Sequence, residues 1–294
     1  MTNKQNQRRK RMIYEIGAII IILLFIVGFS FRGTEDDVMV AVKKQGPPNE
    51  IPMMENAPQL KQTMKGSIYA TSIIQKEKEV IQQEKNQKIV YLTFDDGPSS
   101  DANELLDVLD HYGAKATFFM LAPHIKAYPD VVKRMVKTGY AVGLHDVTHD
   151  ARQFYHSKKS PLHEMQEDQK VLEKITGVKS TLIRTPYGSV PYMLDSYRKE
   201  IELYGFQLWD WDIDSDDWKS NSKAYVSRVI NGIKFMDSIG KHPVILLHDR
   251  GPTIKYLPIL LNWLNKNHFV TKNLEESMDA YSFKCNDRCH PYGS

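Results

Sequence analysis

From Lys88 onward the sequence predicts an α/β barrel of parallel strands, and three observations carry that prediction. Short apolar runs alternate with amphipathic helical patterns, the signature of βα units around a parallel sheet. There are seven such runs, which suggests a barrel rather than a small open sheet. Polar segments with chemical potential close five of the runs, at the carboxyl ends where barrel sites are built. The expected strands are 89–94, 116–121, 140–144, 181–184, 207–213, 243–247 and 268–271. The expected helices are 102–112, 129–138, 161–176, 190–204, 222–236 and 254–267.

The N-terminal part reads differently. Residues 1–11 are basic, with Lys4, Arg8, Arg9, Lys10 and Arg11 and no acid. Residues 12–31 are apolar apart from Glu15 near one edge, long enough to span a bilayer. The basic flank predicts a signal anchor with its N-terminus in the cytoplasm and everything after it exported. A cleaved signal peptide is the rival, since Gly28 and Ser30 are small, but no A-x-A-like site follows. Residues 32–87 read as a stalk, broken by Gly46-Pro47-Pro48 and by the prolines from Pro52 to Pro58. Removing the five leading cations from the net charge of +3 leaves −2 for the rest, which argues against nucleic acid as a partner. With 294 residues and 41% hydrophobic content, one catalytic domain over 88–275 needs no second domain, and we expect a monomer.

The first chemical signal is Thr93-Phe94-Asp95-Asp96-Gly97. Neighbouring strand residues point opposite ways, so both acids reach one site only if the strand ends there and Gly97-Pro98 turns the chain aside. One acid then binds a metal while the other stays free as a base. The second is His145-Asp146-Val147-Thr148-His149, two imidazoles able to reach one ion from a helical turn or a tight loop. With Asp96 they make a set of two histidines and one carboxylate, which leaves an open coordination position as in catalytic zinc sites. Alone, each motif also has an ordinary reading, as a turn or as a solvated or core histidine pair. Three further segments complete the constellation: Arg184-Thr185-Pro186-Tyr187-Gly188, Asp214-Ser215-Asp216-Asp217-Trp218 and Leu246-Leu247-His248-Asp249.

With these five motifs in order, TFDDG, HxxxH, RxPYG, DxxDW and LxH, the chain resembles the carbohydrate esterase family 4 polysaccharide deacetylases, those with a NodB homology domain, over residues 87–275. It departs at Asp146, where the family usually has Ser or Thr; an extra carboxylate there bears on metal affinity or loop geometry. The resemblance implies a distorted (β/α)7 barrel and metal-assisted removal of acetyl groups. Asp96, His145 and His149 would hold one divalent ion, zinc first, with cobalt or nickel also suited to the ligands. Asp95 would be the general base, with Arg184 as its partner. His248 would protonate the departing amine, oriented by Asp214. The backbone N–H of Tyr187 would help hold the oxyanion, and Trp218 with Leu246 would line the pocket for the acetyl methyl.

The expected partner is cell-wall polysaccharide containing N-acetylglucosamine, close to the membrane that anchors the chain. Two other readings stay open: a glycan-binding or regulatory protein on a deacetylase-like scaffold, and an O-deacetylase of xylan or another acetylated polymer. N-Acetylglucosamine and N-acetylmuramic acid are not distinguished. His111, His124, His156, His163, His242 and His268 match no motif and read as surface or packing residues. Trp209 and Trp211 would share a face of one strand. In the tail 276–294, Cys285 and Cys289 would pair in an oxidising exterior.

Overall fold

The computed structural model describes residues 87–294. The expected basic segment 1–11, the membrane span 12–31 and all but the last residue of the stalk 32–87 lie outside the described residues. Among the described residues, no helix is long and apolar enough to cross a membrane.

The chain alternates strand and helix as the periodicity requires. In order it runs β1 (Lys88–Gly97), α1 (Ala102–His111), β2 (Ala116–Leu121), α2 (Ala122–Ala127), α3 (Pro129–Lys137), β3 (Ala141–Asp146), α4 (Ala151–Phe154), α5 (Ser160–Thr176), β4 (Leu182–Ile183) and α6 (Asp195–Tyr204). There follow β5 (Gln207–Leu208), β6 (Ile213–Asp214), a 3-10 turn (Asp217–Lys219), α7 (Ala224–Ser238), β7 (Val244–His248), α8 (Gly251–Lys266) and β8 (Phe269–Thr271). The strand order is β5-β4-β3-β2-β1-β7-β6, all parallel, with β8 pairing the start of β1. β1 and β2 are buried almost throughout, as central strands of a parallel sheet are.

Adjacent residues on β2 divide the core. Phe118 joins the large cluster formed with the helices, stacking on Phe94 at 5.5 Å. Phe119 points the other way, into a small cluster with Leu182, Trp209, Val244 and Leu274. Helix ends follow local chemistry: α5 stops where Gly177 takes φ +76° and α6 where Gly205 takes +99°, conformations that cost glycine little.

The sheet is a curled, open half-barrel that keeps the expected (β/α)7 pattern, but one expected strand fails. Residues 207–213 split into β5 and β6, which do not pair with each other, so eight strands replace seven. The reason is polar. Trp209 still donates to the Ile183 carbonyl at 2.8 Å, but the carbonyls of Trp209 and Asp210 accept the Arg184 guanidinium instead of a neighbouring strand, both at 3.1 Å. Trp209 is buried and Trp211 half-buried; they lie outside any strand, yet both pack against the small cluster around Phe119. The tail covers this stretch: Asp210 N–H donates to the Tyr281 carbonyl at 2.8 Å and Phe283 N–H to Asp210 Oδ2 at 2.7 Å. Cys285 and Cys289 form the expected disulfide. Helix α6 begins at Asp195, later than residue 190, because 190–194 form turns around Pro191.

The inner packing leaves no room at Gly143 on β3: an added Cβ would lie 2.7 Å from Phe119 Cδ1 and 3.0 Å from the Leu182 carbonyl oxygen. Gly143→Ala should therefore destabilise the domain by about 1–3 kcal/mol, as overpacking does, read as a lower denaturation midpoint at unchanged m-value. An unchanged midpoint would contradict the packing described.

Candidate active site

Two adjacent acids reach one site because β1 breaks its register. Asp95 is paired on both sides, with Phe119 on β2 and His248 on β7. The ladder then shifts between Asp95 and Gly97, and Asp96 takes φ +68°. This left-handed position, uncommon for a non-glycine residue, turns the second carboxylate toward the side occupied by the first. It is held by His124, whose Nδ1–H donates to the Asp96 carbonyl at 2.6 Å. Beyond it a Cβ on Gly97 would lie 2.8 Å from Asp249 Oδ2, so only glycine fits. Asp249 itself accepts Ser99 N–H at 2.9 Å and Ser99 Oγ–H at 2.7 Å.

His145 is the penultimate residue of β3 and His149 sits in the following loop at φ +48°, so the pair arises from a tight loop and not from a helix. Three carboxylates hold that loop. Asp168 of α5 accepts His145 N–H at 3.0 Å, and Glu164 accepts the N–H groups of Val147 and Thr148 at 3.2 and 3.0 Å. Asp146, fully buried, accepts His149 N–H with both oxygens at 3.0 and 3.1 Å. Burial pushes the Asp146 carboxyl up to about 6, against the pull of the two imidazoles. The unexpected acid of the motif therefore clamps the loop backbone.

The His145 Nδ1–H donates to the Arg184 carbonyl at 2.8 Å, which leaves Nε2 with its lone pair facing inward. Nε2 of His145 and Nε2 of His149 stand 3.3 and 3.2 Å from Asp96 Oδ1. That oxygen is buried and has no hydrogen-bond partner; the ring nitrogens approach it off the hydrogen-bond direction. Three acceptor atoms, all within 4.8 Å of one another, converge on one point. The two spacings to Asp96 Oδ1, 3.3 and 3.2 Å, match edges of a tetrahedron with bonds of about 2.0–2.1 Å, and two imidazoles with a carboxylate are the donor types that suit a zinc-like cation. The same proximity holds the Asp96 carboxyl well below its ordinary range, the imidazoles outweighing burial. With no cation between the groups, the carboxylates of Asp95, Asp96 and Asp146 overcome burial and lift His145 to about 9, so its Nε2 lone pair becomes a ligand when an ion displaces that proton.

Arg184 is completely buried beneath this point. Its Nη1 donates to Asp95 Oδ1 at 2.8 Å and to Thr93 Oγ1 at 2.6 Å, and its guanidinium carbon lies 4.3 Å from the Phe119 ring centroid. Tyr187, at φ +63°, is 59% exposed, and its hydroxyl donates to the His149 carbonyl at 3.0 Å.

On β7, His248 Nδ1–H donates to Asp217 Oδ1 at 2.7 Å, while His248 N–H and Thr253 Oγ–H donate to Asp217 Oδ2 at 2.9 and 2.5 Å. This corrects the expectation for Asp214, whose Oδ1 accepts Asp216 N–H at 2.8 Å. The chain reverses at Asp216, φ +57°, and the 3-10 turn carries the second acid of the DxxDW motif beside the imidazole. Asp214 remains on the cleft wall. Burial opposes the charged form of His248, but Asp217, Asp95 and Asp96 outweigh it and raise its pKa.

These groups surround a cleft of about 370 Å³. All of the sequence-predicted site residues line it except Arg184, which lies underneath, and Gly188 and Trp211 join them. Trp218, 51% exposed, and buried Leu246 face it as expected. A broader hollow of about 590 Å³ near α4 and α5 contains none of the convergent donors. Sequence reading assigned no role to Asp217, His124, Glu164, Asp168 or Asp249; of these only Asp217, the second acid of DxxDW, carried a signal.

Comparison with known proteins gives a consistent picture. The profile of the polysaccharide deacetylases matches residues 82–209. The putative polysaccharide deacetylase YheN of Bacillus subtilis is 46% identical over 198 residues, 67% of this chain and 70% of that protein. A peptidoglycan-N-acetylglucosamine deacetylase of Bacillus cereus is 36% identical over 189 residues, 63% of this chain and 68% of that one. The crystal structure of the polysaccharide deacetylase Bc1974 from Bacillus cereus superposes with a TM-score of 0.62 at 35% identity, covering 69% of this chain and all of that one.

The His248 contacts generate a measurable difference between two acids of one motif. Asp217→Asn removes the counter-charge and should lower the His248 pKa, moving any alkaline limb that depends on its charged form to lower pH. Asp214→Asn should move it much less. An NMR titration of the His248 ring in the full-length chain checks both, and equal shifts would overturn the assignment to Asp217.

Proposed function

We propose that this chain, which belongs to the polysaccharide deacetylase family, is a metal-dependent hydrolase that removes N-acetyl groups from N-acetylglucosamine units of cell-wall polysaccharide. One observation supports the metal dependence: the Asp96 oxygen, without a hydrogen-bond partner, stands 3.3 and 3.2 Å from Nε2 of His145 and of His149, three ligand atoms of the kind that hold a divalent cation. Zinc fits that donor set best, with cobalt and nickel as alternatives. The peptidoglycan substrate is supported by the name of the Bacillus cereus relative. Export behind a membrane anchor at residues 12–31, with the catalytic domain on the wall side as a monomer, completes the proposal and rests on the sequence.

Bound in that site, the ion would supply Lewis acidity to an amide carbonyl and to water. The rest falls to side chains. Asp95 accepts the proton of the attacking water; Arg184 holds one of its oxygens, and among the described residues no other protein donor reaches the carboxylate. His248 delivers a proton to the departing amine from Nε2, because Nδ1–H is committed to Asp217. The raised pKa keeps that imidazole charged over a wider range below its folded value. Tyr187 lines the cleft in a conformation that can turn its backbone N–H toward the developing oxyanion, and Leu246 with Trp218 receives the methyl.

Asp95→Asn should keep stoichiometric metal and lose about 10²–10⁴-fold in turnover, the range for a removed general base, whereas Asp96→Asn should lose both. Metal analysis of the purified full-length variants beside deacetylation of N-acetylglucosamine oligomers and muropeptides provides the test. Equal metal loss in the two variants would reverse the assignment.

His248→Ala should cost most on N-acetylated glycans, whose amine must be protonated to leave, and least on an activated aryl acetate. Equal loss on both would make His248 a positioning group.

A further inference from the structure

The turn from Arg184 to Ser189 is held at both ends by one residue that lies outside all five motifs. Asp210 is completely buried. Its carbonyl accepts Arg184 Nη2–H at 3.1 Å, where the turn begins. Its carboxylate takes the residue that closes the turn: Oδ1 accepts Ser189 N–H at 2.9 Å, and Oδ2 accepts the Ser189 hydroxyl. The same hydroxyl accepts Arg198 Nη2–H at 2.9 Å, so it stands between a carboxylate and a guanidinium. The remaining contacts of Asp210 go to the tail, its N–H donating to the Tyr281 carbonyl at 2.8 Å and its Oδ2 accepting Phe283 N–H at 2.7 Å.

Between these anchored ends the backbone is strained. Tyr187 and Gly188 take consecutive left-handed conformations, φ +63° and +81°, and a tyrosine keeps such a conformation only where its surroundings fix it. Gly188 lies against the cleft wall, where an added Cβ would stand 2.8 Å from Trp211 Cη2. On the inner side, the buried Tyr155 hydroxyl reaches the carbonyls of Pro186 and Gly188 at 3.3 and 3.2 Å. Among the described residues, the Tyr187 N–H meets no protein acceptor. A peptide fixed on both sides with its own N–H left free is a preorganised donor for developing negative charge.

We propose that Asp210, acting through Ser189, is the positioning residue that aims the Tyr187 backbone N–H at the oxyanion. The inference rests on the deacetylase reading and deepens it. Asp210 touches no reacting atom; it sets the peptide plane between Pro186 and Tyr187 by anchoring both ends of the turn, and Arg198 steadies the hydroxyl through which it acts. Because an oxyanion forms whichever group departs, Asp210 serves amide and ester alike. His248 differs, since its proton is needed by the amine.

The test uses the purified full-length chain, loaded with metal, on N-acetylglucosamine pentamer, its N-trifluoroacetyl analogue and an aryl acetate. Asp210→Asn sets an amide NH2 against the three donors that now meet the carboxylate. It should lower kcat about 10–10²-fold on pentamer and aryl acetate alike, the range for a misaimed donor, with KM within twofold and the metal content of the wild type. Ser189→Ala, which keeps the backbone contact and removes the hydroxyl, should show a smaller loss of the same pattern, and it carries the comparison if Asp210→Asn fails to fold. A trifluoroacetyl group stabilises its own oxyanion, so both variants should lose less on that substrate, a difference that a general weakening of the fold would not produce. Unchanged kcat in the folded variants, metal lost together with activity, or equal loss on acetyl and trifluoroacetyl pentamer would overturn the role of Asp210 and leave the deacetylase reading intact. A wild type that cleaves the aryl acetate but no N-acetylated glycan, with both variants impaired on the ester, would instead sink the N-deacetylase reading and leave Asp210 in its role. A wild type inert on every substrate would remove both.

Discussion

The buried guanidinium of Arg184 is the constraint on which the rest of the site depends. It has no exposure to water, so each donor must find a partner inside the protein. Nη1 reaches Thr93 and Asp95 on β1, while Nε and Nη2 reach the carbonyls of Trp209 and Asp210 where the sheet opens. Its own backbone closes the circuit: Arg184 N–H donates to Leu144 on β3, and its carbonyl accepts the Nδ1–H of His145. One residue thus positions the proposed base, fixes the tautomer of a histidine of the proposed metal site and terminates two strands. Because a buried charge stripped of its partner costs about 3–5 kcal/mol, the geometry of base and histidine is tied to stability.

That circuit explains why the barrel is open. The split between β5 and β6 is not weak β-propensity, since Gln207, Leu208, Trp209 and Ile213 would suit a continuous strand. Asp210 and Asp212 interrupt it with side chains that bind backbone elsewhere, Ser189 and Phe283 for one, Val244 for the other. The carbonyls freed by the break satisfy Arg184. The tail then covers the same stretch, where Phe283 meets Trp211 on the cleft wall at 5.2 Å.

Much of this was legible in the sequence because it is written in short range. The strand periods, the Asp-Asp-Gly end of β1 and the histidine pair are local patterns, and each forces its residues to the carboxyl end of the sheet. Arg184 and Asp95 lie 89 residues apart, yet both sit at strand ends, so strand order alone brings them together. What the sequence could not disclose depends on backbone geometry at single positions. The resemblance points to Asp214 as the partner of His248, but the left-handed turn at Asp216 brings Asp217 to the imidazole instead. His124 read as packing because its role is to hold the carbonyl of Asp96, a contact that no side-chain pattern announces. Helix α5 supplies Glu164 and Asp168 one turn apart, and their contacts to the backbone of the histidine loop are long-range, so no local pattern marks them.

The positive-φ residues draw these threads together. Asp96, His149, Tyr187 and Asp216 all occupy left-handed backbone, a conformation that costs a non-glycine residue of order 1–3 kcal/mol. Three of them line the cleft and Asp216 stands two residues from Asp214 and Trp218, which also do, and each is restrained by a specific neighbour: His124 on the Asp96 carbonyl, Asp146 on the His149 N–H, the Tyr187 hydroxyl on the His149 carbonyl, Asp214 on the Asp216 N–H. Seen this way, the acid at position 146 has a physical reason. A hydroxyl at that place can accept the His149 N–H with one oxygen, whereas the carboxylate spans it with two, so the departure from the family pattern strengthens the clamp on a strained metal-facing residue. The carboxyl group pushed up to about 6 by burial is the cost of that clamp, and it falls on a buried residue that is not part of the cleft lining.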